Sequence, residues 1–210
     1  MIGVMTNDLD VLVIESQPRI AANAVEALEA AGHRVHRCYD DADGHSPCRG
    51  LASPPDCPVD GPVDVALVVR PGYSQASGHF EEGVSCAVRA FVPVVELGVE
   101  ETAPFLPWVT KRIPQDGDVA EACAEAIAES FAPVRAEVQT RIARLLATYA
   151  IEPGAVTVRF EPARGGIDVH LDLPVAVPRG VEQALAVRVL DALRGSGRTF
   201  GRVDVHVHGA

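Results

Sequence analysis

Val65-Ala-Leu-Val-Val69 is an unbroken apolar run, mostly β-branched, with Asp64 in front of it and Arg70-Pro71-Gly72 behind it. A run of this length without alternation reads as a strand covered on both faces. Strands of that kind belong to parallel sheets, whose crossover helices cover both sides. The run therefore commits its surroundings to an α/β layer. It also places Arg70 at the carboxyl end of a strand, where open α/β sheets gather ligands and chemistry.

The neighbouring sequence keeps the same rhythm. Asp10 opens Val11-Leu-Val-Ile14, and Ile20, Ala24, Leu28 and Ala31 then recur at helical spacing, with Gly32 placed to cap the helix. Arg34 to Cys38 reads as a second strand, completing a βαβ unit with parallel strands. After Val69 come a short helix around Val84–Arg89 and a strand over Phe91–Leu97. Phe105–Thr110 reads as a fifth strand, which Pro107 consigns to an edge. Asp118 caps a last helix from Val119 to about Phe131. The spacing predicts an α/β doubly wound, parallel five-stranded sheet over residues 1–132. Residues 39–63 interrupt it as a long loop rich in Pro, Gly and Asp.

Pro133 marks the boundary, since helices tend to stop before proline. Residues 133–210 read as α-β-β-α-β. A helix carries Val138, Ile142, Leu145 and Leu146, and a strand ends at Phe160. A hairpin turn falls at 163–166, and Ile167–Leu173 alternates almost perfectly. A helix over Gly180–Leu193 and an alternating strand over Arg202–His208 complete the order. The second unit is thus a small α+β sandwich of ferredoxin-like character, with an antiparallel sheet and helices on one face. Period-two geometry puts His170, His206 and His208 opposite the apolar faces Ile167/Val169/Leu171/Leu173 and Val203/Val205/Val207.

Charge divides the chain in the same place. Residues 1–130 hold 8 Lys+Arg against 21 Asp+Glu, a net of −13; residues 131–210 hold 10 against 8, a net of +2, giving the −11 of the whole. An acidic first half repels nucleic acid and anionic lipid, so no nucleic-acid partner is expected. No apolar run has the length of a membrane span, and no signal peptide is evident. The five cysteines are odd in number, which points to a reducing, cytoplasmic setting and to metal or redox chemistry rather than a disulfide frame. No G-x-S-x-G, phosphate-binding loop or dinucleotide fingerprint is present, so the sequence leans away from catalysis.

Two resemblances follow from these residues. The strand-helix order over residues 9–131 resembles a response-regulator receiver domain, or more broadly a flavodoxin-like fold. Receivers carry an acidic pair after the first strand, where this chain has Glu15-Ser16. Their phosphate-accepting Asp ends the third strand, where this chain has Val69-Arg70. Their Ser/Thr ends the fourth, where Glu96-Leu97-Gly98 stands, and their Lys follows the fifth, where Lys111 stands. The resemblance therefore implies a degenerate receiver used for contacts, since phosphoryl transfer needs a nucleophilic carboxylate beside acidic Mg²⁺ ligands. Residues 134–209 resemble the cytoplasmic domain of cation diffusion facilitators, on Ile167-Asp-Val-His170 and Val205-His206-Val-His208. This implies a homodimerising module that binds zinc through His170, His206 and His208. A rival resemblance to the alkaline shock protein family rests on the closing Val-x-Val-x-Val strand and implies an envelope-associated scaffold without metal.

Three candidate sites result. His170, His206 and His208 share a face and offer imidazole, the commonest zinc ligand. His36, Cys38, His45, Cys48 and Cys57 are a second metal or redox set, with no Cys-x-x-Cys knuckle among them. Cys86 and Cys123 read as small buried residues of helices. Glu15, Ser16, Arg70 and Lys111 are a candidate anion or partner site at the strands' carboxyl ends: Arg70 either holds an internal carboxylate such as Glu15 or Glu96, which makes a locked scaffold, or faces an open cleft as an anion site. The expected protein is a non-catalytic regulatory or adaptor homodimer that contacts a protein partner. The alternatives are an envelope-associated stress scaffold, or an enzyme or anion-binding protein built on the Glu15/Ser16/Arg70 cleft.

Overall fold

The computed structural model describes residues 8–39, 48–53, 56–70, 81–98, 104–163, 166–196 and 202–210. The chain forms two compact units, Met1–Ser130 and Phe131–Ala210. Among the described residues no helix is long and apolar enough to cross a membrane.

In the first unit the chain runs through β1 (Asp10–Glu15), α1 (Ala22–Ala30), β2 (Arg34–Arg37), α2 (Arg49–Ala52), β3 (Val65–Val69), α3 (Glu82–Arg89), β4 (Val94–Leu97), β5 (Lys111–Ile113) and α4 (Val119–Ser130). The five strands form one parallel sheet in the order β2-β1-β3-β4-β5. All five residues of β3 are buried, as its unbroken apolar run requires. Leu12, Ile14, Ala66, Val68 and Val94 face Val84 and Ala87 of α3. Alternation turns Val11, Val13, Val65 and Leu67 to the other side, where α1 and α4 meet. Burying each such Val or Leu contributes about 1.5–3 kcal/mol. Gly32, at φ 89°, follows α1 in the left-handed conformation that ends helices.

The fifth strand lies later than the sequence predicts. Leu106–Trp108 is a 3-10 turn, because Pro107 has no N–H to give a ladder. Thr110 N–H reaches Val94 O at 2.8 Å, and the strand begins at the next residue, Lys111. Within 39–63 the described residues are also more regular than expected, with α2 and a 3-10 turn over Pro58–Asp60.

The amino ends of β1, β2 and β3 bring charge together in the interior. Asp10 is buried and accepts from Arg34 Nε at 2.8 Å, with His36 Nε2 2.7 Å away. Burial acts to raise its carboxyl, but these hydrogen bonds outweigh it and hold the group below its usual range. Asp64 accepts from Asp10 N–H at 2.8 Å, and burial above all pushes its carboxyl from 3.8 up to about 6. Asp64 thus ionises less readily folded than unfolded, so its charge costs stability as pH rises from about 4 through about 6. Asp64→Asn keeps the acceptor and removes the charge. It is expected to stabilise the chain by about 1–2 kcal/mol at pH 7, with no gain below pH 4. Urea unfolding of both proteins at the two pH values measures this; an equal midpoint at pH 7 would contradict it.

The second unit runs through α5 (Ala132–Thr148), β6 (Thr157–Ala163), β7 (Gly166–Leu173), α6 (Arg179–Gly195) and β8 (Val203–Gly209). Pro133 opens α5 in its first turn, where a missing N–H costs nothing. The hairpin turn residues Arg164 and Gly165 lie outside the described residues. The sheet order is β6-β7-β8, so β7 is central. β6 and β7 are antiparallel, but β7 and β8 are parallel, which corrects the expected antiparallel sheet. The reason is the 17-residue α6. It carries the chain back along the sheet, so β8 enters in the direction of β7, as a crossover requires. Val158, Phe160, Ile167, Val169, Leu171 and Leu173 are buried, as are Val138, Ile142 and Leu146 of α5 and Val181, Leu185 and Val189 of α6. The opposite face of the sheet is left to polar side chains.

Candidate functional site

The order β2-β1-β3-β4-β5 reverses between β1 and β3, and the crevice outside their carboxyl ends is where such sheets hold ligands. Glu15, Ser16 and Arg70 stand there. Glu15 Oε1 accepts from Ala21 N–H at 3.0 Å, and Arg37 approaches its other oxygen at 3.8 Å. Ser16 N–H bonds Val69 O at 3.1 Å, while its buried hydroxyl has no hydrogen-bond partner among the described residues. Arg70 is 5% exposed and meets Glu81, itself 2% exposed, at 2.7 Å from Nε to Oε1. The contact is one of charge rather than an aligned hydrogen bond. The guanidinium also stands 5.8 Å from the centre of the Phe105 ring, within cation–π range.

The carboxylate that Arg70 meets at 2.7 Å is thus Glu81, while Glu15 accepts from Ala21 N–H and Glu96 from Arg112. Glu96 is buried against Arg112, 3.3 Å away, and burial raises its carboxyl against the pull of Arg112 and Arg70. Glu81 was missed because it follows directly on the loop and precedes α3. Its spacing from Val84 and Ala87, three and six residues on, marks it as facing inward. Lys111 does not join the site. It begins β5, level with Val95, and pairs with Glu125 of α4. Its displacement follows from the later start of the strand.

On the second unit, the structure brings the three predicted histidines together. His170 lies beside His206 in the β7/β8 register, and Asp172 beside His208. The rings are stacked, with centroids 4.7 Å apart for His170 and His206, 5.4 Å for His170 and His208, and 6.3 Å for His206 and His208. His170 Nδ1 is 3.0 Å from His208 Nε2. Its other nitrogen is 3.5 Å from Glu161 Oε2, and His206 Nε2 is 4.0 Å from Asp168 Oδ1. Arg159 bridges Asp172 and Glu161, and Arg202 bridges Asp168 and Asp204, which balances the carboxylates of this face. Burial, foremost, holds the His170 imidazole below its usual range, helped by the neighbouring His206, Arg159 and His208 against Glu161. Among the described residues no group of three His, Cys, Asp or Glu side chains is placed to hold a metal ion.

The remaining metal set divides. His36 is engaged by Asp10 and not by the thiols. His45 lies outside the described residues. Cys38 is buried in the core beside Ile14, Val84 and Phe105, and Cys48 packs against the same cluster. Cys86 is half-buried rather than enclosed, whereas Cys123 is fully buried; every cysteine is a free thiol.

No protein-family model matches this chain, and no curated protein does. Among solved structures, a fusion protein carrying a yeast Spc42 trimeric coiled-coil segment aligns over 67% of this chain and 92% of its own, at 14% identity and a TM-score of 0.43. A likeness of that size carries no inference. Fold and sites define the class: a flavodoxin-like parallel α/β unit joined to a small α+β unit with a histidine face.

Proposed function

We propose that this chain is a non-catalytic regulatory or adaptor protein. Its first unit is a degenerate receiver-like scaffold used for contacts with a protein partner. Its second joins another copy of the chain and binds zinc at His170, His206 and His208. The 3.0 Å approach of His170 Nδ1 to His208 Nε2 carries the metal reading. Two nitrogens on one tetrahedral zinc stand about 3.3 Å apart, so the two imidazoles need little movement to share an ion. Glu161 at His170 Nε2 and Asp168 near His206 are placed as the outer carboxylates that orient metal-binding imidazoles. A His170 held neutral near pH 7 is ready to ligate, since zinc takes the unprotonated ring.

The closed Arg70–Glu81 pair supports the non-catalytic part. A phosphate-accepting carboxylate is needed at the end of β3, and Val69 and Arg70 occupy that place.

Calorimetric titration with zinc tests the metal. A Cys48→Ser/Cys57→Ser chain keeps thiol binding out of the measurement. The expected result is saturable heat near neutral pH that weakens as the solution is acidified and the imidazoles protonate. The heat is lost when His206→Ala/His208→Ala is added, and Glu161→Gln weakens binding by about tenfold or more. Equal heats with and without the two histidines, or no heat in either, would overturn the reading.

A further inference from the structure

Four of the five cysteines come from separate stretches of the first unit. Cys38 follows β2, Cys48 precedes α2, Cys57 precedes the turn at Pro58–Asp60, and Cys86 lies in α3. Arg49 N–H donates to Cys38 O at 2.7 Å, which ties the residue after Cys48 to Cys38. A Cβ at Gly50 would stand 2.9 Å from Cys57 Cβ and 3.1 Å from its Sγ. A Cβ at Gly83 would stand 2.9 Å from Cys38 Sγ. Cys86 is three residues beyond Gly83 and so shares its helix face. The lack of a Cβ at Gly50 and at Gly83 thus leaves room for the Cys57 and Cys38 side chains.

We infer that Cys38, Cys48, Cys57 and Cys86 form a second metal centre, a four-thiolate site for zinc or another thiophilic divalent cation. Electrostatics agree: burial first, then Cys48, Cys86 and Cys57, push the Cys38 thiol up to about 12. A thiol so raised is a poor nucleophile, whereas a coordinating metal deprotonates a thiol outright. Among the described residues no three such side chains are grouped to hold a metal ion, so the thiols have to move to bind one. Cys48 and Cys57 are half-buried and flank the four-residue α2, so their side chains are the ones that turn inward. Arg89 Nη2 donates to Cys86 Sγ at 3.5 Å and supplies positive charge beside the thiolates. A cleft of about 520 Å³ is lined in part by Tyr39, Arg49 and Asp56, which are sequence neighbours of Cys38, Cys48 and Cys57. The site joins Cys38, Cys48 and Cys57 to α3. Metal binding there adds directly to folding stability, since the unfolded chain has no preformed site. The separation of 38, 48, 57 and 86 contains no Cys-x-x-Cys, so sequence spacing alone does not reveal it.

Cobalt(II), added to the reduced full chain, is the probe. Tetrahedral thiolate coordination gives sulfur-to-cobalt charge-transfer absorption and intense visible bands, which imidazole coordination does not reproduce. The expected result is charge-transfer absorption saturating at one equivalent. It is lost in Cys48→Ser/Cys57→Ser and again in Cys86→Ser, and kept in Cys123→Ser and in His206→Ala/His208→Ala. Absence of charge transfer in the wild type, or its persistence in Cys48→Ser/Cys57→Ser, would overturn the proposal whatever the histidine face does.

Discussion

Glu81→Ala is expected to lower the unfolding free energy by about 3–5 kcal/mol, because it removes a buried carboxylate 2.7 Å from the Arg70 guanidinium. Arg70 and Glu81 are 6% and 0% exposed at their side chains, so water does not replace the lost partner. The pair itself is a different matter. Bringing both charges out of water costs nearly what their attraction returns, and replacing a buried pair by apolar residues of similar size is often neutral or stabilising. Arg70→Met/Glu81→Leu is therefore expected to recover most of the loss, with the new side chains packing on Phe105. Urea unfolding of the wild type, the single variant and the double variant measures both effects. A loss below about 1 kcal/mol in Glu81→Ala would mean that Glu81 is not the group that holds Arg70 in place. The Arg70–Glu81 pair would then not be what closes the carboxyl end of β3.

Gly98→Ala is expected to cost about 3 kcal/mol at the same end of the sheet. Two causes add. Gly98 has φ 96°, where a Cβ costs roughly 1–2 kcal/mol. That Cβ would also stand 2.3 Å from Arg70 O and 2.8 Å from Gln115 Oε1. The carbonyl belongs to the backbone leaving β3 and cannot turn aside, so overpacking adds roughly 1–3 kcal/mol. Gly154→Ala is the control, since a Cβ there meets nothing within 4 Å. It is expected to stay within about 0.5 kcal/mol of the wild type. Matching losses in the two variants would show that Gly98 is not needed for the close approach of β3 and β4.

The architecture was legible where one residue pattern has one structural reading. Val65–Val69 is apolar without alternation and is covered on both faces. Ile167–Leu173 alternates strictly and splits into a core face and a histidine face. His170, His206 and His208 were found because alternation and pairing register both act through the backbone. What stayed hidden depends on partners far along the chain. The direction of β8 is set by the length of α6, and alternation within a strand is the same in either direction. Lys111 shifted from the end of a strand to its start because Pro107 delays β5. Glu15 and Glu96 were the carboxylates expected beside Arg70, and the placement of α3 against the sheet brings Glu81 to it. Cys86 looked like a core residue of a helix, since nothing in its local sequence says that Cys38 lies across from it.

The most direct test of the central claim is anomalous scattering at the zinc absorption edge from crystals of the full chain grown with zinc. The expected map has a peak bounded by His170, His206 and His208, and crystals of His206→Ala/His208→Ala lose it. A wild-type map with no density at that face, or with zinc among the thiols alone, would contradict the assignment of the second unit as a metal-responsive module.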